Sequence, residues 1–376
     1  MAAERVSPGA GALDRRLMQA ALVLARRGLG NVWPNPAVGC IIARDGQIVG
    51  RGWTQPGGRP HAEAEALARA GAAAQAATAY VTLEPCCHWG RTPPCADALI
   101  AAGIRRTVVA LEDPDPRVAG GGIARLRAAG VEVAVGLGAE AAAELNAGFF
   151  ARVQLGRPLV TLKLAASLDG RIATQTGESR WITGAAAREA AHLLRATHDA
   201  VLVGTGTVLA DDPQLTCRLP GLFHRSPVRV ALDRTLRIPP EAQIIAGARQ
   251  TPSWLMTLAQ ADPARRERLR AAGVEIVEVA GDAVGRIDIA AALRALGERG
   301  LTRLLVEGGG RLAAALLNAD LVDRLVWLHA PLVLGGDAVP AVAALGLDQL
   351  SDAPRFERVD VQPLGDDMLS HYRRRA

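Results

Sequence analysis

The chain has 376 residues and a mass of 39.3 kDa, a length that allows about two domains. Hydrophobic residues make up 49% of it and charged residues 22%, which excludes an intrinsically disordered protein. The net charge of +5 arises from acidic and basic side chains that are interleaved along the sequence, apart from three arginines at 373–375. We therefore expect no nucleic-acid partner.

The sequence also lacks the features of a membrane or secreted protein. A membrane span needs about eighteen uninterrupted apolar residues, and Pro34 and Pro36 break the longest candidate, residues 28–43. Charged residues such as Glu4 and Asp14 precede any apolar segment, so we expect no secretory signal, no membrane partner and a cytoplasmic location. Five cysteines, an odd number in that compartment, favour metal binding or free thiols over disulfides.

Apolar β-rich runs alternate with Ala/Leu/Arg-rich helical stretches, which predicts an α/β fold with a largely parallel sheet. In the first part, Asp45 and Gly46 join two strands as a hairpin turn. The predicted elements are helix 13–27, strands 38–43 and 47–52, helix 61–70, strand 79–83, helix 95–102, strand 107–111, helix 122–129 and strand 131–135.

The alternation pauses over residues 148–158, and Arg157-Pro158 precedes a new strand. We therefore predict two domains, residues 1–152 and 153–376. The second series is strand 159–165, helix 185–196, strands 200–203, 228–232 and 254–257, helix 263–272, strand 274–279, helix 289–299, strand 303–306, helix 311–319 and strand 324–328.

The first domain contains a zinc-ligand pattern. His61 and Glu63 are followed by Cys86 and Cys95, each directly after a proline. One imidazole and two thiolates leave a fourth tetrahedral position open, as in catalytic zinc sites. Glu63 is then the candidate proton shuttle, provided that His61 caps the helix so that both side chains face the metal. The order of these residues matches the zinc-deaminase pattern.

The second domain contains a strand, a glycine run and a helix in series. Residues 307–310 are Glu-Gly-Gly-Gly, and such a loop can bring backbone N–H groups close to a phosphate. The pattern is not the usual dinucleotide-binding fingerprint. Lys163 is the only lysine beside 42 arginines, which indicates a site that needs a compact ammonium group.

Several segments resemble a known family. Asn35-Pro36, His61-Ala62-Glu63 and residues 85–95 (PCCHWGRTPPC) are similar to the deaminase domain of the bifunctional riboflavin-biosynthesis deaminase/reductases. Eight residues separate Cys86 from Cys95, whereas nucleic-acid deaminases usually have two between their cysteines. Residues 167–170 (SLDG), 177–183, 204–218 and the V-E-G-G-G run resemble the reductase domain of the same family.

The resemblance implies two three-layer α/β/α domains, the first cytidine-deaminase-like and the second dihydrofolate-reductase-like. In the deaminase domain it implies Zn²⁺ on His61, Cys86 and Cys95, Glu63 as proton shuttle, and Asn35 against the pyrimidine. Cys87, where relatives often have Ser, and His88 remain alternative ligands. Cys40 and Cys217 are expected to be packing or loop residues.

For the reductase domain the resemblance implies NADPH and a phosphorylated pyrimidine substrate. Lys163 is expected to donate a hydrogen bond near the sugar carbon that accepts hydride. The cofactor residues implied are Ala165, Trp181, Thr207, Asp211, Arg234, Gly308, Gly309, Gly310 and Arg311. The substrate residues implied are Ser179, Arg195, Leu215, Arg218 and Glu307. Relatives often have Asp-Ser at Asp233-Arg234, so the contact there is either through the backbone or from Arg234 to the 2′-phosphate.

The expected function is therefore deamination of a phosphoribosylamino-pyrimidine followed by NADPH-dependent reduction of its ribosyl group, by a homo-oligomer that acts on small molecules. Two other interpretations remain open. A nucleic-acid deaminase shares the His, Glu and cysteine pattern and predicts salt-dependent binding to polynucleotides. A non-catalytic zinc-stabilised binding protein predicts that loss of Glu63 changes nothing.

Overall fold

The computed structural model of the chain describes residues 11–90 and 93–375 and divides into two compact units, Met1–Gly156 and Arg157–Ala376. The division falls after Gly156 rather than after Arg152, because the last helix of the first unit continues to Leu155 and Gly156 ends it in the left-handed conformation. None of the helices in the described ranges is long and apolar enough to cross a membrane.

The first unit is built from six α-helices and five strands in its described residues. The helices are α1 Ala12–Ala25, α2 Ala62–Ala70, α3 Cys95–Ala101, α4 Gly121–Ala128, α5 Ala139–Leu145 and α6 Ala147–Leu155. The strands are β1 Gly39–Arg44, β2 Gln47–Trp53, β3 Thr78–Val81, β4 Arg106–Val109 and β5 Glu132–Val135.

These strands form one sheet with the order β2-β1-β3-β4-β5, in which β1 is antiparallel to both neighbours and β3, β4 and β5 are parallel. Helices cover both faces. On one face α1 packs its apolar side on Ile41 and Tyr80, and on the other α2, α3 and α4 pack on Cys40 and Val81. The result is a three-layer α/β/α arrangement.

The position of α2, which carries His61 at its start, depends on two glycines of β2. A Cβ on Gly50 would collide with the backbone of Ala66, and a Cβ on Gly52 would collide with the backbone of Ala62. Because both are glycines, the helix lies directly on the strand, and the small side chains of Ala62 and Ala66 are fully buried.

The second unit contains six α-helices and eleven strands among its described residues. The helices are α7 Ala185–Ala196, α8 Thr205–Asp211, α9 Gln243–Ala246, α10 Pro263–Ala271, α11 Ile289–Glu298 and α12 Gly310–Asn318. The strands are β6 Leu159–Ser167, β7 Arg171–Ala173, β8 Ala200–Gly204, β9 Val228–Leu232, β10 Ser253–Thr257, β11 Glu275–Glu278, β12 Arg303–Val306, β13 Arg324–Ala330, β14 Val339–Pro340, β15 Phe356–Leu364 and β16 Asp367–Arg374.

Nine of these strands form a sheet with the order β11-β10-β9-β8-β12-β6-β13-β16-β15, and β7 pairs with β14. The strands from β11 to β13 are parallel, and β16 and β15 complete one edge in antiparallel orientation. Ligands of such sheets bind beyond the carboxyl ends of the parallel strands, where β8, β9 and β12 end at Gly204, Leu232 and Val306.

Most predicted elements are present within a residue or two of their expected limits, and the 45–46 hairpin turn has the positive φ angles expected of it, 50° and 78°. The prediction missed α5, α6, α8 and α9 together with β7, β14, β15 and β16. Gly148 and Gly206 lower the helix propensity of α6 and α8. Nearly all of β15 is exposed on both faces, so it lacks the alternation that marks a half-buried strand.

Candidate active sites

Three side chains of types that can bind a metal ion meet in the first unit. His61 is the N-cap of α2, Cys95 is the first residue of α3, and Cys86 lies in the segment after β3. His61 Nδ1 lies 3.6 Å from Cys86 Sγ and 3.4 Å from Cys95 Sγ, and the three atoms are all within 4.8 Å of one another. The capping position of His61 is the one required for its imidazole and Glu63 to point the same way.

The spacing of these atoms fits a tetrahedral zinc ion. Zinc–nitrogen bonds of about 2.05 Å and zinc–sulfur bonds of about 2.3 Å place the nitrogen and sulfur ligands about 3.6 Å apart. The observed Nδ1–Sγ distances of 3.6 and 3.4 Å agree with that value. His61, Cys86 and Cys95 therefore fit a zinc ion with a fourth position left for solvent or substrate.

The surroundings of Cys86 favour its ionised form. Its sulfur accepts the backbone N–H of Cys95 at 3.3 Å. Hydrogen bonds from Cys95 and His61 lower the pKa of the Cys86 thiol to about 4, although burial opposes this. A thiolate is the form that binds a metal ion, so these contacts favour metal binding by Cys86.

Cys87 and His88 lie beside the cluster but outside it. The Cys87 sulfur is directed at the carbonyl oxygens of Arg117 and Val118, at 3.7 and 3.9 Å. Burial raises the pKa of the Cys87 thiol. The geometry therefore favours Cys86 over Cys87 as the ligand. Arg91 and Thr92, the middle of the sequence motif, lie outside the described residues.

Glu63 is almost completely buried in the first turn of α2. The pKa of Glu63 is raised to about 7. Burial is the main cause, the charge of His61 opposes it, and the charge of the neighbouring Cys86 adds to it. A carboxyl group with a pKa near neutrality can both take up and release a proton, which is the requirement for general acid–base catalysis.

A cavity of about 220 Å³ opens onto this cluster. Asn35 lines it together with His61 and Glu63, and Asn35 Nδ2 donates to Gly58 O at 2.7 Å. The cavity also brings in Asp113 and Arg152, which the sequence prediction did not include. Burial raises the pKa of Asp113 to about 6. The sequence feature that could have identified Asp113 is the acidic segment 112–115, which follows β4 at the carboxyl edge of the sheet.

A second cluster of charges is buried in the second unit. Arg195 on α7 forms two parallel hydrogen bonds with Glu307, at 2.6 and 2.9 Å, and Lys163 Nζ on β6 lies 4.0 Å from Glu307 Oε2. The three side chains are between 10% and 15% exposed. The predicted residues Lys163, Arg195 and Glu307 therefore form one group at the end of β12.

Glu307 is the anion that balances two cations. Burial alone raises the pKa of Glu307, but the charge and hydrogen bonds of Arg195 and the charge of Lys163 outweigh burial and lower it to about 2. Burial lowers the pKa of Lys163, and Glu307 opposes that change. The ammonium group is thus kept charged by its partner in an otherwise unfavourable environment.

We expect Glu307→Gln to destabilise the second unit by about 3–5 kcal/mol, because it leaves Arg195 and Lys163 buried without their counter-charge. Thermal or urea unfolding measures this effect. The folded pKa of Glu307 is below its unfolded value, so the stabilisation is full above about pH 4.5 and is lost as pH falls towards 2. Glu298→Gln, an exposed glutamate on α11, is the control. Equal unfolding midpoints for both variants would contradict the balancing role.

Residues 307–309 connect β12 to α12, whose first two residues are Gly310 and Arg311, so a strand, a glycine run and a helix follow in series. A Cβ on Gly310 would come within 2.6 Å of Pro340 O, so only glycine permits the approach of that segment. A Cβ on Gly309 would have Thr207 Oγ1 as its nearest neighbour, at 3.9 Å. Thr207 on α8 and the glycine loop therefore lie side by side and fit a cofactor phosphate.

The other predicted residues lie around the Lys163–Arg195–Glu307 group and the glycine run. Arg195 Nη1 donates to Thr216 O at 3.0 Å, which fixes the segment with buried Leu215 and with Arg218. Trp181 is 70% exposed, with the Arg188 guanidinium 4.6 Å from its ring centre, so it is not a core aromatic. Arg180 Nη2 donates to Asp211 O at 3.1 Å, which links the segment of Ser179 and Trp181 to α8.

Ala165 and Arg234 lie apart from this segment. Ala165, on β6, packs against the apolar cluster under α7. Arg234 follows β9 and lines a large cavity that Arg311 also lines. Cys40 and Cys217, for which no chemical role was expected, are fully buried.

Two family models match the chain. Residues 12–111 match the cytidine and deoxycytidylate deaminase zinc-binding region, and residues 158–370 match the RibD C-terminal domain. The chain is 43% identical over 369 residues to the riboflavin biosynthesis protein RibD of Escherichia coli, covering 95% of this chain and 98% of the relative. It is 42% identical to the RibD protein of Bacillus amyloliquefaciens, covering 95% of each.

Solved structures give the same result. The chain superposes on RibD of Acinetobacter baumannii with a TM-score of 0.88 and 40% identity, covering 97% of this chain and 99% of that one. It superposes on a diaminohydroxyphosphoribosylaminopyrimidine deaminase/5-amino-6-(5-phosphoribosylamino)uracil reductase of Thermotoga maritima with a TM-score of 0.84 and 35% identity, covering 96% and 99%. The predicted fold class, a deaminase-like domain followed by a reductase domain, is confirmed by these matches.

Proposed function

This chain belongs to the RibD family of riboflavin biosynthesis proteins, and on that premise we propose which of its residues carry out the two reactions of the family. It is a bifunctional enzyme, with a deaminase domain of a zinc-binding family and a reductase domain. The substrate we assign to the first site is 2,5-diamino-6-(5-phosphoribosylamino)pyrimidin-4-one. The second site then reduces the ribosyl group of the deaminated product to the ribityl group.

In the deaminase domain His61, Cys86 and Cys95 would hold the zinc ion, which supplies Lewis-acid chemistry and activates water. Glu63 accepts a proton on its carboxylate from the attacking water and transfers it to the amino nitrogen, so that ammonia can leave. Asn35 holds the ring, and its amide is oriented by the bond to Gly58 O. The observation that supports this assignment is that the three ligand atoms lie within 4.8 Å of one another, while His61, Cys86 and Glu63 line one cavity.

In the reductase domain the nicotinamide supplies the hydride and the protein supplies position and charge. We assign NADPH as the cofactor, held by Ala165, Trp181, Thr207, Asp211, Arg234 and the loop Gly308–Arg311. Lys163 would donate a hydrogen bond beside C1 of the sugar, opened as carbonyl or imine, which is the carbon to be reduced. Arg195 and Arg218 bind the substrate phosphate, Glu307 orients Lys163 and Arg195, and Ser179 and Leu215 contact the substrate.

The assay that tests this function gives the purified full chain the phosphoribosylamino-pyrimidine and measures released ammonia and oxidised NADPH. We expect ammonia without any nicotinamide cofactor, and NADPH oxidation only on the deaminated product. Deamination of cytosine in a polynucleotide, with no ammonia from the small substrate, would instead identify a nucleic-acid deaminase. A cytoplasmic location belongs to the same proposal and is supported by five cysteines without disulfides.

We also propose that the chain forms a homo-oligomer through the β13-β16-β15 edge of its second sheet. The face opposite α7 there carries Trp327, Met368 and Val361, and β15 is an exposed edge strand.

We expect the parental chain to be a dimer or larger in solution, because a second copy would cover this apolar face, and the double variant Val361→Asp, Met368→Asp to dissociate. Light scattering after size-exclusion chromatography measures the mass of both. Val333→Asp, at an exposed valine outside this face, should leave the mass unchanged. A monomeric parental chain would contradict the proposal.

A further inference from the structure

A cavity of about 1100 Å³ in the second unit lies at the carboxyl ends of β8 and β9. The start of α11 and the length of α12 from Arg311 to Asn318 also line it. Cavities at this position of an open α/β sheet are where such folds bind nucleotides. Four guanidinium groups line this one: Arg234, Arg237, Arg286 and Arg311.

The four arginines differ in what they bind within the protein. Arg286 is paired with Asp282 at 2.9 Å, and Arg234 Nη1 donates to Gly285 O at 3.0 Å. The side chains of Arg237 and Arg311 are exposed and form no hydrogen bond or ion pair with any residue of 11–90 or 93–375. Their donors are therefore available to a ligand in the cavity.

The position of Arg237 is fixed by a short turn after β9. Its neighbours Leu236 and Ile238 are buried, and Asp233 accepts the N–H of Ile238 at 2.7 Å. The turn places Arg237 three residues after Arg234 on the same cavity wall. A guanidinium on a backbone held in this way loses less conformational freedom when it binds an anion.

The carboxylates of the cavity are engaged by the protein itself. Asp233 Oδ2 accepts the N–H of Ile238, while its Oδ1 is buried and has no hydrogen-bond partner among the described residues. Asp282 accepts the N–H of Val284 and of Arg286, and Asp288 caps α11 by accepting from Ala291 N at 3.0 Å. The acidic groups thus neutralise backbone donors, whereas the free arginines face the cavity. A site for NADH would instead present a carboxylate to the 2′-hydroxyl of the ribose.

We propose that Arg237, assisted by Arg234, binds the 2′-phosphate of NADPH and makes this reductase select NADPH over NADH. The inference rests on the proposed function, in which the reductase domain uses a nicotinamide dinucleotide. Arg311, at the start of α12, remains for the pyrophosphate beside the glycine loop. Arg237 is then a specificity-determining residue: the dianionic 2′-phosphate, the only difference between the two cofactors, meets two guanidinium donors.

Binding of 2′,5′-ADP and of 5′-AMP to the full chain, measured by isothermal titration calorimetry, tests this without any turnover. We expect the parental chain to bind 2′,5′-ADP more tightly than 5′-AMP, because only the former carries the 2′-phosphate. Arg237→Gln should weaken 2′,5′-ADP about 10- to 100-fold, the loss expected for charge-assisted hydrogen bonds, and leave 5′-AMP unchanged. Arg294→Gln is the matched control, an exposed arginine on α11 that likewise has no partner among the described residues and does not line the cavity.

Each result separates this inference from the function on which it rests. If Arg237→Gln binds 2′,5′-ADP as tightly as the parental chain, the role of Arg237 is overturned while the reductase assignment stands. If the parental chain binds both nucleotides equally, the cavity does not select for the 2′-phosphate. If neither NADPH nor NADH binds the parental chain, the reductase assignment itself fails. Binding of 5′-AMP at the parental affinity shows that the second unit of the variants is folded.

Discussion

Replacing Glu63 by Gln is expected to reduce deamination by about 10²- to 10⁴-fold while the bound metal remains. The amide keeps the size of the carboxyl group but cannot accept a proton, and Glu63 is the buried carboxyl beside His61 and Cys86. Since His61, Cys86 and Cys95 are unchanged, their geometry for zinc is unchanged. Ammonia release and metal content, measured on the same preparation, test both parts of this expectation.

Glu65→Gln serves as the matched control. Glu65 lies two residues further along α2, pairs with Arg69 at 2.9 Å and does not line the cavity. It should keep the parental rate. If Glu63→Gln released ammonia at the parental rate, the proton shuttle would have to be another group, and a non-catalytic zinc protein would become the better interpretation.

Replacing Lys163 by Arg should lower the rate of reduction by about 10²-fold or more and leave the rate of deamination unchanged. Lys163 is only 15% exposed and lies 4.0 Å from Glu307, which Arg195 already holds by two hydrogen bonds. A planar guanidinium is larger than an ammonium group and donates in a fixed plane, so it cannot take the same place. NADPH oxidation on the deaminated substrate measures the effect.

Lys163→Met separates the charge from the shape of the side chain. It should lose reduction to a similar extent, because the hydrogen-bond donor is gone, while NADPH still binds in the cavity lined by Arg234 and Arg311. Deamination by the same preparation is the internal control. Undiminished NADPH oxidation by either variant would remove Lys163 from the reaction.

The zinc cluster was predictable because metal chemistry restricts the residue types. Few groups other than imidazole, thiolate and carboxylate bind zinc, so His61, Glu63, Cys86 and Cys95 stand out in the sequence whatever the fold. The N-cap position of His61 was predictable too. His61 and Glu63 are two residues apart, and both can face one metal ion only if His61 lies at the start of the helix. The structure brings His61, Cys86 and Cys95 within 4.8 Å of one another, with Glu63 on the same cavity.

Residues without such restrictions were not predictable. Arg237 is one of 42 arginines in the sequence. Its guanidinium is free to bind a ligand because nearby carboxylates accept backbone N–H groups instead, and this depends on the fold. Arg152 reaches the deaminase cavity only because α6 forms, and Gly148 obscured that helix in the sequence. The β15–β16 hairpin was missed because an edge strand exposed on both faces has no buried side to mark it.

Metal analysis of the active full chain is the most direct test of the central assignment. We expect about one zinc ion per chain, lost in Cys86→Ser and in Cys95→Ser but retained in Cys87→Ser, whose sulfur faces Arg117 O instead of His61. Purified chain that deaminates its substrate at full rate without zinc, or a Cys87→Ser variant that alone loses the metal, would contradict the account.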